Sequence, residues 1–134
     1  MAIVWDQKYS VEVAIIDEQH KQFIWMLDKL SKAIGEANPK ETLDQIVNDL
    51  DQYSTYHFNT EEKYFKDFNY KGAEEHIMAH RKFIERLGEV REKYSNDELR
   101  LSLELVSFMS DWLVNHIHDM DRKYIETFHE NGLY

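Results

Sequence analysis

Histidine recurs in the core register of four successive helical stripes in this chain, and few folds can bury such a pattern. The first stripe is Phe23, Ile24, Leu27, Leu30 and Ile34, with His20 on the same side. The second is Leu43, Ile46, Val47, Leu50, Tyr53, His57, Glu61, Tyr64 and Phe68, and the third is Ala73, His76, Ile77, His80, Phe83, Ile84, Leu87 and Val90. A fourth runs through Leu99, Leu103, Val106, Met109, Leu113 and His116. His57 with Glu61, and His76 with His80, are four residues apart, so on a helix each pair shares one face, its members about 40° apart around the axis.

The stripes predict helices over about 17–37, 39–68, 72–94 and 97–117, after an N-terminal arm of about 1–16 that holds Trp5, Tyr9 and Ile15 without a clear period. Asn38 and Pro39 read as the N-cap and first residue of the second helix, and Ser95 with Glu98 as a capping box for the fourth. Four glycines and one proline among 134 residues are poor material for the turns of an all-β fold. Short connections favour antiparallel neighbours. The expected architecture is therefore all-α, an up-down-up-down antiparallel four-helix bundle with an N-terminal arm, in a single domain spanning residues 1–134.

Charge and composition narrow the function. The formal charge is -10 with no basic stripe, which argues against nucleic acid and anionic membrane surfaces as partners. Without cysteine, disulfides, iron–sulfur clusters and thiolate metal sites are excluded, so a metal would have to use nitrogen and oxygen. No apolar run approaches the roughly 20 residues of a membrane helix, and Met1 to Tyr9 lacks the features of a leader. Membrane insertion is not expected, and the cytoplasm is the simplest address.

Antiparallel packing also sets the height of each polar group. His20 lies near the start of the first helix, His57 and Glu61 toward the end of the second, His76 and His80 near the start of the third, and His116 toward the end of the fourth. That alternation brings all of them to one level of a bundle. Asp121 follows His116 by five residues, which on a regular helix turns the two side chains by about 140°. It joins the layer only if the backbone widens into a π-bulge, or if the helix ends or bends near Ile117 to Met120. His118 is expected to point away from His116, His129 to lie beyond the layer, and Glu62, Glu74, Glu75 and Asp119 to form a solvated face.

A lone histidine on an apolar stripe is ordinarily a hydrogen-bonded core residue. Five imidazoles and two carboxylates in one layer are another matter, because each unpaired buried charge costs several kcal/mol and a cation satisfies them best. One ion has no use for seven protein ligands, whereas two ions share two bridging carboxylates and divide five histidines as three and two. With an added oxo or hydroxo bridge, the three-histidine ion is fully coordinated and the two-histidine ion keeps an open position. Nitrogen and oxygen ligands in octahedral number suit iron better than tetrahedral zinc.

The order His20, then His57-Phe58-Asn59-Thr60-Glu61, then His76 with His80, then His116 with Asp121, resembles the hemerythrins. Asp17-Glu18-Gln19-His20, the arm with Trp5, and Trp112-Leu113-Val114-Asn115-His116-Ile117 are similar to the bacterial branch, and the resemblance covers essentially the whole chain. It implies that His76, His80 and His116 hold the closed iron, that His20 and His57 hold the open one, and that Glu61 and Asp121 bridge them. Dioxygen would bind reversibly at the open iron, for carriage, storage or delivery, in a protein that is not an enzyme. An apolar oxygen pocket is expected from Phe58, Trp112 and Leu113, with Phe23 one turn from His20. The resemblance leaves alternatives open: oxygen or redox sensing through a partner, and di-iron peroxidase or nitric oxide reductase activity. An oxygen-consuming or redox partner protein fits several of these, and the sequence leaves the oligomeric state open.

Overall fold

Each long helix buries one stripe and stops where a left-handed residue turns the chain, or where a new cap begins. The computed structural model describes residues 3–134. Four long helices, α1 (Ala14–Gly35), α2 (Lys40–Asp67), α3 (Ala73–Lys93) and α4 (Glu98–Asp119), are followed by a 3-10 turn (Asp121–Tyr124) and a short α5 (Ile125–Glu130). α1 packs against α2 and α4, and α3 closes the other side against the same two helices. The result is an all-α, antiparallel four-helix bundle, with Phe23, Leu27, Leu30, Val47, Leu50, Leu105 and Met109 among its buried side chains. No described helix is long and apolar enough to cross a membrane.

The first two long helices end alike. After α1, the Asn38 N–H donates to the Ala33 carbonyl and the Ala37 N–H to that of Ile34; after α2, the Tyr70 N–H donates to Phe65 and that of Asn69 to Lys66. This pattern satisfies the last carbonyls and needs one residue with positive φ, here Ala37 at 54° and Asn69 at 51°. Asparagine tolerates that conformation, whereas alanine carries a Cβ penalty there. Ala37→Gly is therefore expected to stabilise the fold by about 0.5–1 kcal/mol, after the extra chain entropy of glycine is subtracted. A thermal melt showing no gain would count against strain at this turn.

Several expected details are corrected. α2 begins at Lys40 with Pro39 as its cap residue, whose carbonyl accepts from Thr42 and Leu43, so Asn38 belongs to the end of α1. The cap of α4 is Asp97, whose carboxylate accepts from the Arg100 N–H, and not Ser95. Leu99 and Leu103 are about half exposed, at 51% and 48%, and Ile84 is also exposed. Leucine at positions 99, 101, 103 and 105 offers two helical stripes, and the buried one is Leu101 and Leu105, which continues in four-residue steps to Met109 and Leu113. Ile84 sits one residue off the His80, Phe83 and Leu87 line and faces outward.

Both ends of the chain pack on the bundle. Val11 and Val13 are fully buried, and the Asp17 carboxylate accepts from the Val11 N–H and the Ser10 hydroxyl, which ties the arm to the first turn of α1. The segment after α4 buries Tyr124 and Phe128, the latter in an aromatic cluster with Tyr64, Phe65 and Phe68. His129 donates to the Glu12 carbonyl and so joins the two ends.

Candidate metal centre

Seven polar side chains meet in the interior, none more than 5% exposed: His20 on α1, His57 and Glu61 on α2, His76 and His80 on α3, His116 on α4, and Asp121 at the start of the 3-10 turn. Asp121 gets there because α4 ends. The Met120 N–H donates to the His116 carbonyl to close the last turn, and the backbone then tightens into the 3-10 turn, which swings the carboxylate inward. Of the two routes open to the sequence, the ended helix is realised and the π-bulge is not.

The donor atoms form two groups, each lying within 4.8 Å of one another. One is Glu61, His76, His80 and His116; the other is His20, His57, Glu61 and Asp121. Both carboxylates stand between the histidine sets. Glu61 Oε1 is 3.2 Å from His80 Nε2 and 3.4 Å from His57 Nε2. Asp121 Oδ1 is 2.9 Å from His76 Nε2 and 3.1 Å from His116 Nε2, while its Oδ2 is 3.1 Å from His20 Nε2. Every histidine thus turns Nε2 inward. His76 Nε2 and His116 Nε2 even face one another at 2.9 Å.

These atoms are close without satisfying one another. His20 Nε2, His80 Nε2, Glu61 Oε1 and both Asp121 oxygens are buried with no aligned hydrogen-bond partner. Converging lone pairs that miss each other are what a cation needs, and an imidazole and carboxylate donor set without sulfur suits a first-row transition metal.

Electrostatics sort these donors into those that are free and those that keep a proton until a metal displaces it. Burial alone would raise the two carboxyls, but the surrounding histidines outweigh it and hold Glu61 and Asp121 below the usual carboxylate range, so both stay anionic. Burial pushes the His57 imidazole down to about 4, keeping it neutral with a free lone pair. Burial also opposes charge on His80 and His20, yet the neighbouring carboxylates prevail: His80, beside Glu61 and Glu62, rises to about 9, and His20, beside Asp121, is also raised.

Three contacts around the cluster were not foreseen from the sequence. His57 Nδ1 lies 2.7 Å from Gln19 Oε1, His80 Nδ1 lies 2.8 Å from Glu62 Oε2, and the Tyr124 hydroxyl donates to Glu61 Oε2 at 2.7 Å. Glu62, expected on a solvated face, instead spans from α2 to α3 with its side chain 30% exposed. Glu74, Glu75 and Asp119 are exposed. His118 is exposed and pairs with Asp119, and so takes no part in the cluster. Tyr124 sits one turn past Asp121, and Gln19 and Glu62 each adjoin a clustered residue in sequence. Burial of Tyr124 and the two carboxylates push its hydroxyl well above the ordinary range, so it remains a donor.

Aromatic rings cover one half of the cluster. Phe58 stacks on His80 with centroids 4.0 Å apart, nearer than the 5.9 Å to His57, and Trp112 stacks on His116 at 4.2 Å. These expected pocket residues thus lie mainly against the three-histidine side. Leu113 is buried, and Phe23 is buried in a T-shaped pair with Tyr53.

Comparison with known proteins agrees with this geometry. The profile of the family described as "Hemerythrin HHE cation binding domain" matches residues 11–128. A bacteriohemerythrin of Pseudomonas aeruginosa (strain LESB58) is 29% identical over 124 residues, covering 92% of this chain and 80% of that protein. A myohemerythrin of Theromyzon tessulatum is 29% identical over 120 residues, covering 90% and 88%. Among solved structures, wild-type hemerythrin superposes with a TM-score of 0.85 at 25% identity, covering 95% of this chain and 98% of the other.

Proposed function

The chain belongs to the hemerythrin family, and from that premise we propose that it binds dioxygen reversibly at two iron ions held by the seven buried side chains. The observation that carries this reading is the unequal division of histidines about a shared Glu61, three on one side and two on the other. In this reading His76, His80 and His116 would hold one ion, His20 and His57 would hold the other, and Glu61 and Asp121, which stand between the two histidine sets, would be shared by both. When bound, the iron pair supplies reversible electron exchange with dioxygen.

The chain's own contribution is to hold donors and exclude water. Neutral imidazoles favour the ferrous state, while two anionic carboxylates offset part of the metal charge inside a low-dielectric interior. The Tyr124 hydroxyl donates to Glu61 Oε2 and so fixes the carboxylate, whose Oε1 lies between His57 and His80. Phe58 and Trp112 shield His80 and His116, and buried Phe23 and Leu113 are the proposed dry walls on the oxygen side. Carriage, storage or delivery of oxygen follows from such a site.

The test is anaerobic reduction of the iron-loaded chain, then exposure to air and removal of oxygen, followed in the visible spectrum. A charge-transfer band that appears with oxygen and vanishes without it supports the proposal. One-way oxidation would instead favour redox sensing, and sustained turnover of peroxide or nitric oxide would favour an enzyme. Leu113→Asn is expected to admit water and speed spontaneous oxidation of the oxygenated protein roughly tenfold. An unchanged decay rate would remove Leu113 from the pocket.

A further inference from the structure

Two of the clustered histidines carry a hydrogen bond on the ring nitrogen that faces away from the cluster, and the two acceptors differ in charge. His57 Nδ1 meets the Gln19 amide oxygen; His80 Nδ1 meets the Glu62 carboxylate. The direction of the first bond is set by what stands behind it. The Thr60 hydroxyl donates to the Tyr56 carbonyl at 3.0 Å, and its oxygen is then free to accept from Gln19 Nε2 at 3.2 Å. The amide must therefore turn its oxygen toward His57, whose Nδ1 carries the proton and whose Nε2 lone pair points into the cluster. The Glu62 carboxylate oxygen accepts from His80 Nδ1–H, so a metal at that ring would take Nε2 in the same way.

Burial explains why the acceptors differ. Gln19 is 6% exposed, a place where an anion would be costly to desolvate. The Glu62 side chain is 30% exposed and borders a groove of about 320 Å³ that also holds Arg81, a place where a carboxylate is far less costly to keep. The two halves of the cluster thus receive the same tautomer but unequal charge. His57 stands in the two-histidine group and His80 in the three-histidine group.

We propose that Glu62 and Gln19 are positioning residues that make the two iron ions unequal, the anion on His80 favouring the ferric state of one and the neutral amide on His57 favouring the ferrous state of the other. The inference rests on the two-iron reading of the seven buried residues. An anionic acceptor makes the imidazole a stronger donor to its metal, and a neutral acceptor orients the ring without that added charge. Glu62 acts through His80 and Gln19 through His57, so neither touches the metal.

The test compares the full iron-loaded chain with Glu62→Gln and Gln19→Glu, measuring the reduction potential of the iron pair, the rate of iron release to a chelator, and the melting temperature. Glu62→Gln is expected to raise the potential and weaken iron binding about tenfold, at the low end of what outer-sphere partners contribute. Gln19→Glu, isosteric and able to take a hydrogen bond from a rotated Thr60 hydroxyl, is expected to lower the potential. Opposite signs are the signature, because loss of packing alone would loosen iron in both variants and separate their potentials in neither. Potentials equal to that of the unaltered chain, or shifted in one direction by both variants, overturn the inference. If Gln19→Glu does not fold, Glu62→Asp takes its place: it keeps the charge and should return the potential toward the unaltered value, and a shift matching Glu62→Gln overturns the inference. An unaltered chain that takes up no iron overturns the two-iron reading and this inference together, whereas two irons with unmoved variants overturn this inference alone.

Discussion

Asp121→Asn is expected to leave the helices formed and to cost the chain more than about 100-fold in metal affinity, beyond the range seen when an outer partner of a metal site is removed. The reason lies in where the carboxylate stands. Its two oxygens approach imidazoles from three helices, His20 on α1, His76 on α3 and His116 on α4, each within 3.1 Å. Asparagine keeps the shape but offers one oxygen, and its NH2 group would be turned toward ring nitrogens that must present lone pairs. The negative charge that offsets the metal is lost as well. Helix content should persist, because each of the four helices buries its own apolar stripe in the bundle, although the metal-free melting temperature should fall. Metal analysis after dialysis, beside circular dichroism, checks both halves of the expectation. Asp119→Asn, two residues away and exposed, is the control and should retain its metal. Full metal content in Asp121→Asn would remove that residue from the site.

Removal of metal by a chelator is expected to lower the melting temperature by about 10–20 °C. A ligand at about 1,000 times its dissociation constant stabilises the folded state by about 4 kcal/mol, and in a domain of this size each kcal/mol moves the midpoint by roughly 3–5 °C. The stripped chain should also show a pH optimum. Burial holds His57 at about 4, below the ordinary 6.5, so its contribution is complete above pH 6.5 and is lost as pH falls toward 4. His80 behaves inversely: burial opposes its charge, but Glu61 and Glu62 raise it to about 9, so its contribution is complete below 6.5 and is lost as pH rises toward 9. His20 is raised and adds to the alkaline loss, while Glu61 and Asp121, both lowered, add to the acid loss below the ordinary carboxylate range. Melting temperature against pH should therefore peak near about 6.5 without metal and flatten when metal is restored. A stripped chain that melts where the loaded chain does would mean that the seven side chains hold no cation.

What the sequence made legible follows from what is rare. Histidine and glutamate at core positions of a helical stripe conflict with burial, and that conflict marks His20, His57, Glu61, His76, His80 and His116 without reference to shape. Asp121 was legible as a problem, since five residues of regular helix would turn it away, and the break at Met120 is the structural answer. Leu101 and Leu105 were not separable from Leu99 and Leu103, because alternate leucines fit two stripes and only packing against α1 and α2 chooses between them. Gln19 and Glu62 were hidden for a different reason. Each reaches a histidine on another helix, and the rotation that brings them there is set by the bundle as a whole. Tyr124 and Phe128 lie beyond the end of α4, where no long period remains to mark their burial.

The ended helix at Met120 also sets the two carboxylates on unlike supports. Glu61 stands inside α2, whereas Asp121 opens a 3-10 turn with Tyr124 and Phe128 buried behind it. The C-terminal segment is thereby part of the framework of the site, and its packing, no less than that of the four helices, decides where the seventh donor stands.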